Sequence, residues 1–125
     1  MLNKKVGGII MTNNKNATRY YSSRQEKRIA KAIGGRVTAN SGAPKFTAGD
    51  VINNLFLIEA KTKTSESKSF SIKKEWLDKN KEEAFAMNKR YNALCFDFGD
   101  NERYYVIDEK TFKVLNELLE REEEK

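Results

Sequence analysis

The stretch Gly49-Asp-Val-Ile-Asn-Asn-Leu-Phe-Leu-Ile-Glu-Ala-Lys61 decides how this chain reads. Phe46–Ile52 and Leu55–Lys61 are predicted strands joined at Asn53-Asn54, a tight turn in which asparagine tolerates positive φ. Side chains alternate along a strand, so Glu59 and Lys61 share a face with Leu55 and Leu57. With a two-residue turn, Ile52 pairs with Leu55 and Asp50 with Leu57. Asp50 then lies on the Glu59 face, one diagonal step away and within reach of a shared ion. A three-residue turn reverses that parity. Carboxylate-x-Lys tripeptides are cheap in a chain with 34% charged residues, and Glu66–Lys68, Asp108–Lys110 and Glu123–Lys125 also qualify. Only Glu59–Lys61 follows a buried-type strand, and that context carries the signal. Acids and a lysine rarely share a face with leucines without a purpose. Two carboxylates can hold Mg²⁺ or Mn²⁺ through oxygen ligands, the ion polarises a phosphodiester and acidifies a water, and Lys61 orients that water or offsets charge. The plainer alternative makes Asp50 a turn or surface acid and Glu59–Lys61 an ion pair at a strand edge.

Outward from this hairpin, the elements fall into a simple order. Upstream, Ser23-Arg-Gln-Glu26 is a capping-box pattern that predicts the start of a helix, which Gly34-Gly35 stops. A short strand follows at Arg36–Ala39, then a loop, Asn40–Lys45. Downstream, the polar loop Thr62–Ser69 leads to a helix over about Ser71–Asn88, with the stripe Ile72, Trp76, Leu77, Ala84 and Met87 interrupted by the charged run Asp78–Glu83. Ala93–Phe98 and Arg103–Ile107 are strands about the turn Gly99–Glu102, and Asp108 caps a last helix. The stripe of that helix, Phe112, Leu115 and Leu119, reads as core, with a dimer surface as the alternative. Residues 1–21 read as a flexible, irregular basic segment, with Met11 a candidate natural start, and 22–125 as one domain. The fold class is α/β, a mixed sheet of about five strands flanked by helices.

Composition excludes a good deal. The 125 residues contain no histidine and one cysteine. Cys95 therefore has no disulfide partner and no companions for a Cys-based zinc site, and it reads as a small core residue. Without histidine there is no His-dependent triad, no common zinc hydrolase site and no HNH nuclease arrangement. No run approaches the ~20 apolar residues of a membrane span. The net charge of +6 is uneven: residues 1–50 hold ten Lys and Arg against Glu26 and Asp50, while residues 51–125 are net −2. A basic half points to a polyanion, most often nucleic acid.

Two groups of residues in that basic half bear on the site. Glu26 falls at helical spacing with Ile29, Ala30 and Ile33, which places an acid on the inward stripe. There it suits a third metal or water contact, although a capping box also asks for glutamate at this position. Arg24, Lys27, Arg28 and Lys31 form a basic face of the same helix. Tyr20 and Tyr21, beside Arg19 and Arg24, suit stacking on unpaired bases and gripping phosphate. Packing on the sheet is the alternative for both tyrosines. Lys45, Lys63 and Lys68 are further candidate phosphate contacts.

Taken in order, Glu26, Ser41-Gly-Ala43, Gly49-Asp50 and Leu57-Ile-Glu59-Ala-Lys61 resemble the PD-(D/E)xK nuclease superfamily. More narrowly, they resemble its small Holliday junction resolvases of archaea and the similar enzymes of phages. The resemblance covers about residues 22–107. It implies a restriction-endonuclease-like fold, Mg²⁺- or Mn²⁺-dependent phosphodiester cleavage, and a homodimer that cuts the two strands of a four-way DNA junction symmetrically. It also implies a cytoplasmic protein, in a bacterial host cell if phage-encoded, with no membrane partner. By the same resemblance Asp50 and Glu59 bind metal, Lys61 is the catalytic lysine, Glu26 is the helix acid, and Ser41 lies near the active site on the DNA side. The chain departs from the pattern where Ala48-Gly49 stands in place of the proline that names the motif. The eight residues between Asp50 and Glu59 leave room only for a hairpin turn.

Overall fold

The computed structural model describes residues 14–38, 50–63 and 65–125, and the side chains of its first helix from residue 23 onward. Three helices, α1 (Asn14–Ile33), α2 (Lys74–Ala86) and α3 (Glu109–Glu123), accompany five strands: β1 (Arg36–Val37), β2 (Asp50–Ile52), β3 (Phe56–Lys61), β4 (Tyr91–Phe96) and β5 (Tyr104–Val106). The strands form one mixed sheet in the order β1-β2-β3-β4-β5. β3 and β4 are parallel neighbours, joined through α2, and the other pairs are antiparallel. The expected α/β class and strand number hold.

Alternation along the central strands divides the apolar residues between two faces. Val51, Ile58, Ala93 and Cys95 are buried against Ile29 of α1, with Ala30, Ile33 and Phe56 packed at the margin. On the other face Ile52 and Leu57 close on Ala84 of α2. The helices that matter for the site thus lie on opposite sides of β2 and β3. Cys95 is fully buried, and burial pushes its thiol up to about 11, consistent with a core residue rather than a nucleophile.

Turn chemistry accounts for the ends of these elements. α1 stops at Gly34, whose φ of +66° is left-handed, and the Gly35 N–H donates to the Ala30 carbonyl at 2.8 Å in a Schellman-type closure. A Cβ on Gly35 would run into the Ile52 carbonyl, so helix and strand can approach only with glycine there. α2 ends in the same way on Asn88, at φ +59°, with Lys89 N–H donating to the Ala84 carbonyl at 2.8 Å. Asp108 caps α3 as the sequence predicts, accepting from Thr111 N–H at 2.8 Å.

Three local expectations are corrected. α1 starts at Asn14, so Ser23–Glu26 lies inside a helix rather than at its cap, and residues 14–21 are helical rather than irregular. Residues 1–13 lie outside the described residues. α2 is shorter than Ser71–Asn88, which leaves Ile72 and Met87 beyond its ends and exposed, while its buried positions are Asn80 and Ala84. On α3 the stripe read as core is open: Phe112 is 61% and Leu119 66% exposed.

Candidate active site

The connection between β2 and β3 sets the geometry. Asn53 Oδ1 accepts from the N–H groups of Leu55 (3.0 Å) and Phe56 (2.8 Å), and Asn53 N–H donates to the Phe56 carbonyl at 3.2 Å. This side-chain-built turn is wider than two residues. Ile52 therefore pairs with Leu57, not Leu55, and Asp50 pairs with Glu59. The shift of two preserves the parity and improves the alignment: the acids stand directly opposite each other on one face, where Cβ atoms are about 5 Å apart. Asn53 Nδ2 also donates to the Ile33 carbonyl at 3.2 Å, fixing the turn to the end of α1.

Both strands are held at the site as well. The Asp50 carbonyl accepts from Thr38 N–H at 3.1 Å, just beyond β1. Gln25, buried on α1, donates from Nε2 to the Lys61 carbonyl at 3.1 Å and lies 3.4 Å from Thr62 Oγ1. Lys61 Nζ meets Glu59 Oε2 at 2.8 Å and lies 4.2 Å from the centre of the Trp76 ring on α2. The lysine is thus directed by a carboxylate on its own strand and an aromatic face from the covering helix.

Asp50 is 3% exposed, and its carboxyl is pushed up to about 7. Burial is the largest cause, followed by the negative charges of Glu83, Glu59 and Glu26, with Lys79 opposing. Glu26 is buried on α1 and is raised by that burial. Glu83 is raised by burial and then by Glu59, with Lys79 and Lys61 opposing. Sequence reasoning missed Glu83, which was passed over within the charged run Asp78–Glu83. The available signal was its place beside Ala84 and seven residues after Trp76, on the α2 rows that cover this face. Gln25 was likewise passed over between Arg24 and Glu26.

The donors assembled here are carboxylate oxygens, the chemistry that suits Mg²⁺ or Mn²⁺. Among the described residues no group of three or more acidic or cysteine side chains is close enough to hold an ion by itself. Asp50 and Glu59 can supply two ligands, with water and substrate phosphate completing the shell, as is usual for Mg²⁺. A cation there would also relieve the crowding of negative charge that lifts Asp50.

The basic residues divide. Arg24, Arg28 and Lys63 line a cleft of about 320 Å³ with Gln25 and Thr62, adjoining the carboxyl end of β3. Arg28 Nη1 donates to Asn101 Oδ1 at 2.6 Å, and Lys63 Nζ lies 5.3 Å from the Phe70 ring centre. Asp97 is the acid lining the same cleft. Lys27, Lys31 and Lys68 are exposed and do not line it. A larger hollow of about 590 Å³ lies at the other end of β3, beside Asn53 and Asn54, away from the acids. Ser41, Lys45 and Gly49, and the side chains of Arg19, Tyr20 and Tyr21, lie outside the described residues. No helix among the described residues is long and apolar enough to cross a membrane. Compared with protein-family models, with curated proteins and with solved structures, the chain matches none.

Proposed function

We propose that this protein is a divalent-metal-dependent, structure-selective DNA endonuclease of the restriction-endonuclease-like fold, resolving four-way junctions as a homodimer. The observation that carries the reading is the pairing of Asp50 directly opposite Glu59, with Lys61 two residues along the same face. When bound, Mg²⁺ or Mn²⁺ supplies a Lewis acid that polarises the scissile phosphodiester and acidifies a water. Asp50 and Glu59 provide its protein oxygens, and burial of Asp50 limits competing solvent at that ligand. Lys61, held between Glu59 and Trp76, presents its ammonium to the phosphate or to the attacking water and offsets charge that develops in the transition state. Glu26 adds a buried acid from α1 whose charge helps to raise the Asp50 carboxyl. Arg24, Arg28 and Lys63 form a cationic track for the backbone of the same strand, a contact that reads phosphate and shape rather than base sequence.

A non-catalytic DNA-binding protein that keeps the fold is the second reading, and the cationic cleft at the carboxyl end of β3 favours it equally. One gel separates the two. A labelled four-way junction, a flap and a linear duplex are incubated with the protein in Mg²⁺, in Mn²⁺ and in EDTA. The nuclease reading expects paired nicks in the junction with metal and none in EDTA. Retardation of the junction without cleavage in either metal would leave only the binding reading.

A further inference from the structure

Next to the paired acids, the same face of the sheet turns aromatic. The strand register sets Lys61 of β3 opposite Phe96 of β4, and Phe96 opposite Tyr104 of β5. This row lies two residues along from the one that holds Asp50 and Glu59, so both stand on one face. Phe70 stacks on Phe96 with ring centres 4.6 Å apart, and Trp76 of α2 meets Phe70 at 6.4 Å. Phe98 turns its edge to Phe96 at 5.5 Å and to Tyr104 at 5.8 Å. None of the five rings is buried, and Tyr104 is 46% exposed. Rings that served only as core would close over one another, whereas this row keeps aromatic surface in water beside the lysine. Charge selects the occupant. Lys61 and Lys73 lie 4.2 and 5.8 Å from the Trp76 ring centre, and Lys63 lies 5.3 Å from that of Phe70. At the far end Glu102 accepts from the Tyr104 hydroxyl at 3.1 Å. A ligand matched to this surface carries negative charge at the lysine end and flat, uncharged rings over the aromatic row. A single strand of DNA is built that way, with phosphates along one side and unpaired bases, each offering a π-face, on the other. In a duplex those faces are already stacked on one another. Lys63 also lines the cleft of Arg24 and Arg28, which makes the aromatic row continuous with the cationic track.

We propose that Phe70, Phe98 and Tyr104, floored by Phe96, form a stacking ledge for unpaired bases, and that the substrate class is DNA with a single-stranded segment next to the phosphate that meets Lys61. The proposal rests on the reading of this face as a DNA site and not on cleavage, so it is tested without metal.

The test is fluorescence anisotropy of the full chain in EDTA with a labelled thymidine oligonucleotide of about ten nucleotides, and with a duplex of the same length. The single strand should bind tighter than the duplex by about 10-fold or more, the scale of one or two stacked bases. Tyr104→Ala should weaken single-strand binding by about 10-fold and leave duplex affinity in place, while Tyr104→Phe, which keeps the ring and loses only the hydroxyl, should bind as wild type. Phe70→Leu keeps the apolar packing and removes a ring, so it should repeat the loss even if Tyr104→Ala disturbs the edge strand; melting temperatures report which variants hold the fold. A second measurement needs no substitution. Trp76 is the chain's one tryptophan, and its emission should change with the single strand over the same concentrations as the anisotropy. A single strand bound no tighter than duplex would overturn the ledge and leave the nuclease reading standing. Unaltered binding by both Tyr104→Ala and Phe70→Leu would overturn it, as would a Trp76 emission that ignores the bound strand. A Tyr104→Phe defect equal to that of Tyr104→Ala would assign the effect to the Glu102 contact and reject stacking. Failure to bind DNA of any form would remove the ledge and the nuclease reading together.

Discussion

Asp50→Asn should stabilise the metal-free protein, and more so as pH rises. In the folded chain the Asp50 carboxyl is pushed up to about 7 from an ordinary value of 3.8, chiefly by burial. The folded state therefore binds more protons at this residue than the unfolded chain between those values, and stability falls as pH climbs through the window. Integrating one such group gives a penalty of about 4 kcal/mol at pH ~8 and about 1–2 kcal/mol at pH ~5. Asparagine keeps the shape and removes the titration. Any cost of its own hydrogen bonding is the same at both values, so the pH dependence isolates the charge. Urea unfolding of both proteins in EDTA should show the variant gaining roughly 2–3 kcal/mol relative to wild type between pH ~5 and ~8. Mn²⁺ at the higher pH should raise the melting temperature of wild type and leave the variant unmoved. A stability difference that stays constant with pH would refute the claim that Asp50 sits unneutralised in a cluster of acids.

Lys61→Ala should slow single-turnover cleavage by at least ~10²-fold while junction affinity in Ca²⁺ or EDTA holds, the scale of a lost electrostatic contact in the transition state. A loss confined to affinity would make Lys61 a phosphate clamp. Arg28→Ala with Lys63→Ala should flatten the salt dependence of junction binding by about 2 log–log units per subunit, roughly 4 for a homodimer, because each neutralised phosphate releases counterions. An unchanged slope measured by fluorescence anisotropy would remove the cleft from the DNA path. Asn92→Ala should cost about 1–3 kcal/mol in urea unfolding, since Asn92 Nδ2 donates to the fully buried Asn80 Oδ1 at 2.7 Å and an orphaned buried amide is expensive. A change under half that would mean water replaces the bond.

The elements legible in the sequence were those whose signals are local. Period-two alternation marked the strands, Gly34-Gly35 marked the end of α1, and Asp108 marked the cap of α3. The face shared by Asp50, Glu59 and Lys61 followed from the same alternation, because parity survives any even change in turn length. The register did not follow. It depends on the Asn53 side chain accepting two backbone N–H groups, which widens the turn and moves Asp50 from the diagonal of Glu59 to its direct partner. The start of α1 was missed because Ser23 and Glu26 satisfy a capping box that the upstream residues override by continuing the helix. Glu83 and Gln25 were missed because their importance is tertiary: one is carried over the sheet by α2, and the other reaches the backbone of β3 across 36 residues. The α3 stripe has the pattern of a core helix, and sequence cannot say whether a stripe meets its own sheet or something else.

The most direct test of the central claim is single-turnover nicking of a four-way junction in Mn²⁺ by wild type and by Glu59→Gln, with binding of each measured in EDTA. Glutamine keeps the size of the side chain and removes the charge needed to ligate the ion and to hold Lys61 at 2.8 Å. The account predicts Mn²⁺-dependent nicks from wild type, a loss of about 10³-fold or more in Glu59→Gln, and equal or tighter binding by the variant, because a negative charge has left the DNA surface. Nicking by Glu59→Gln at the wild-type rate would contradict it.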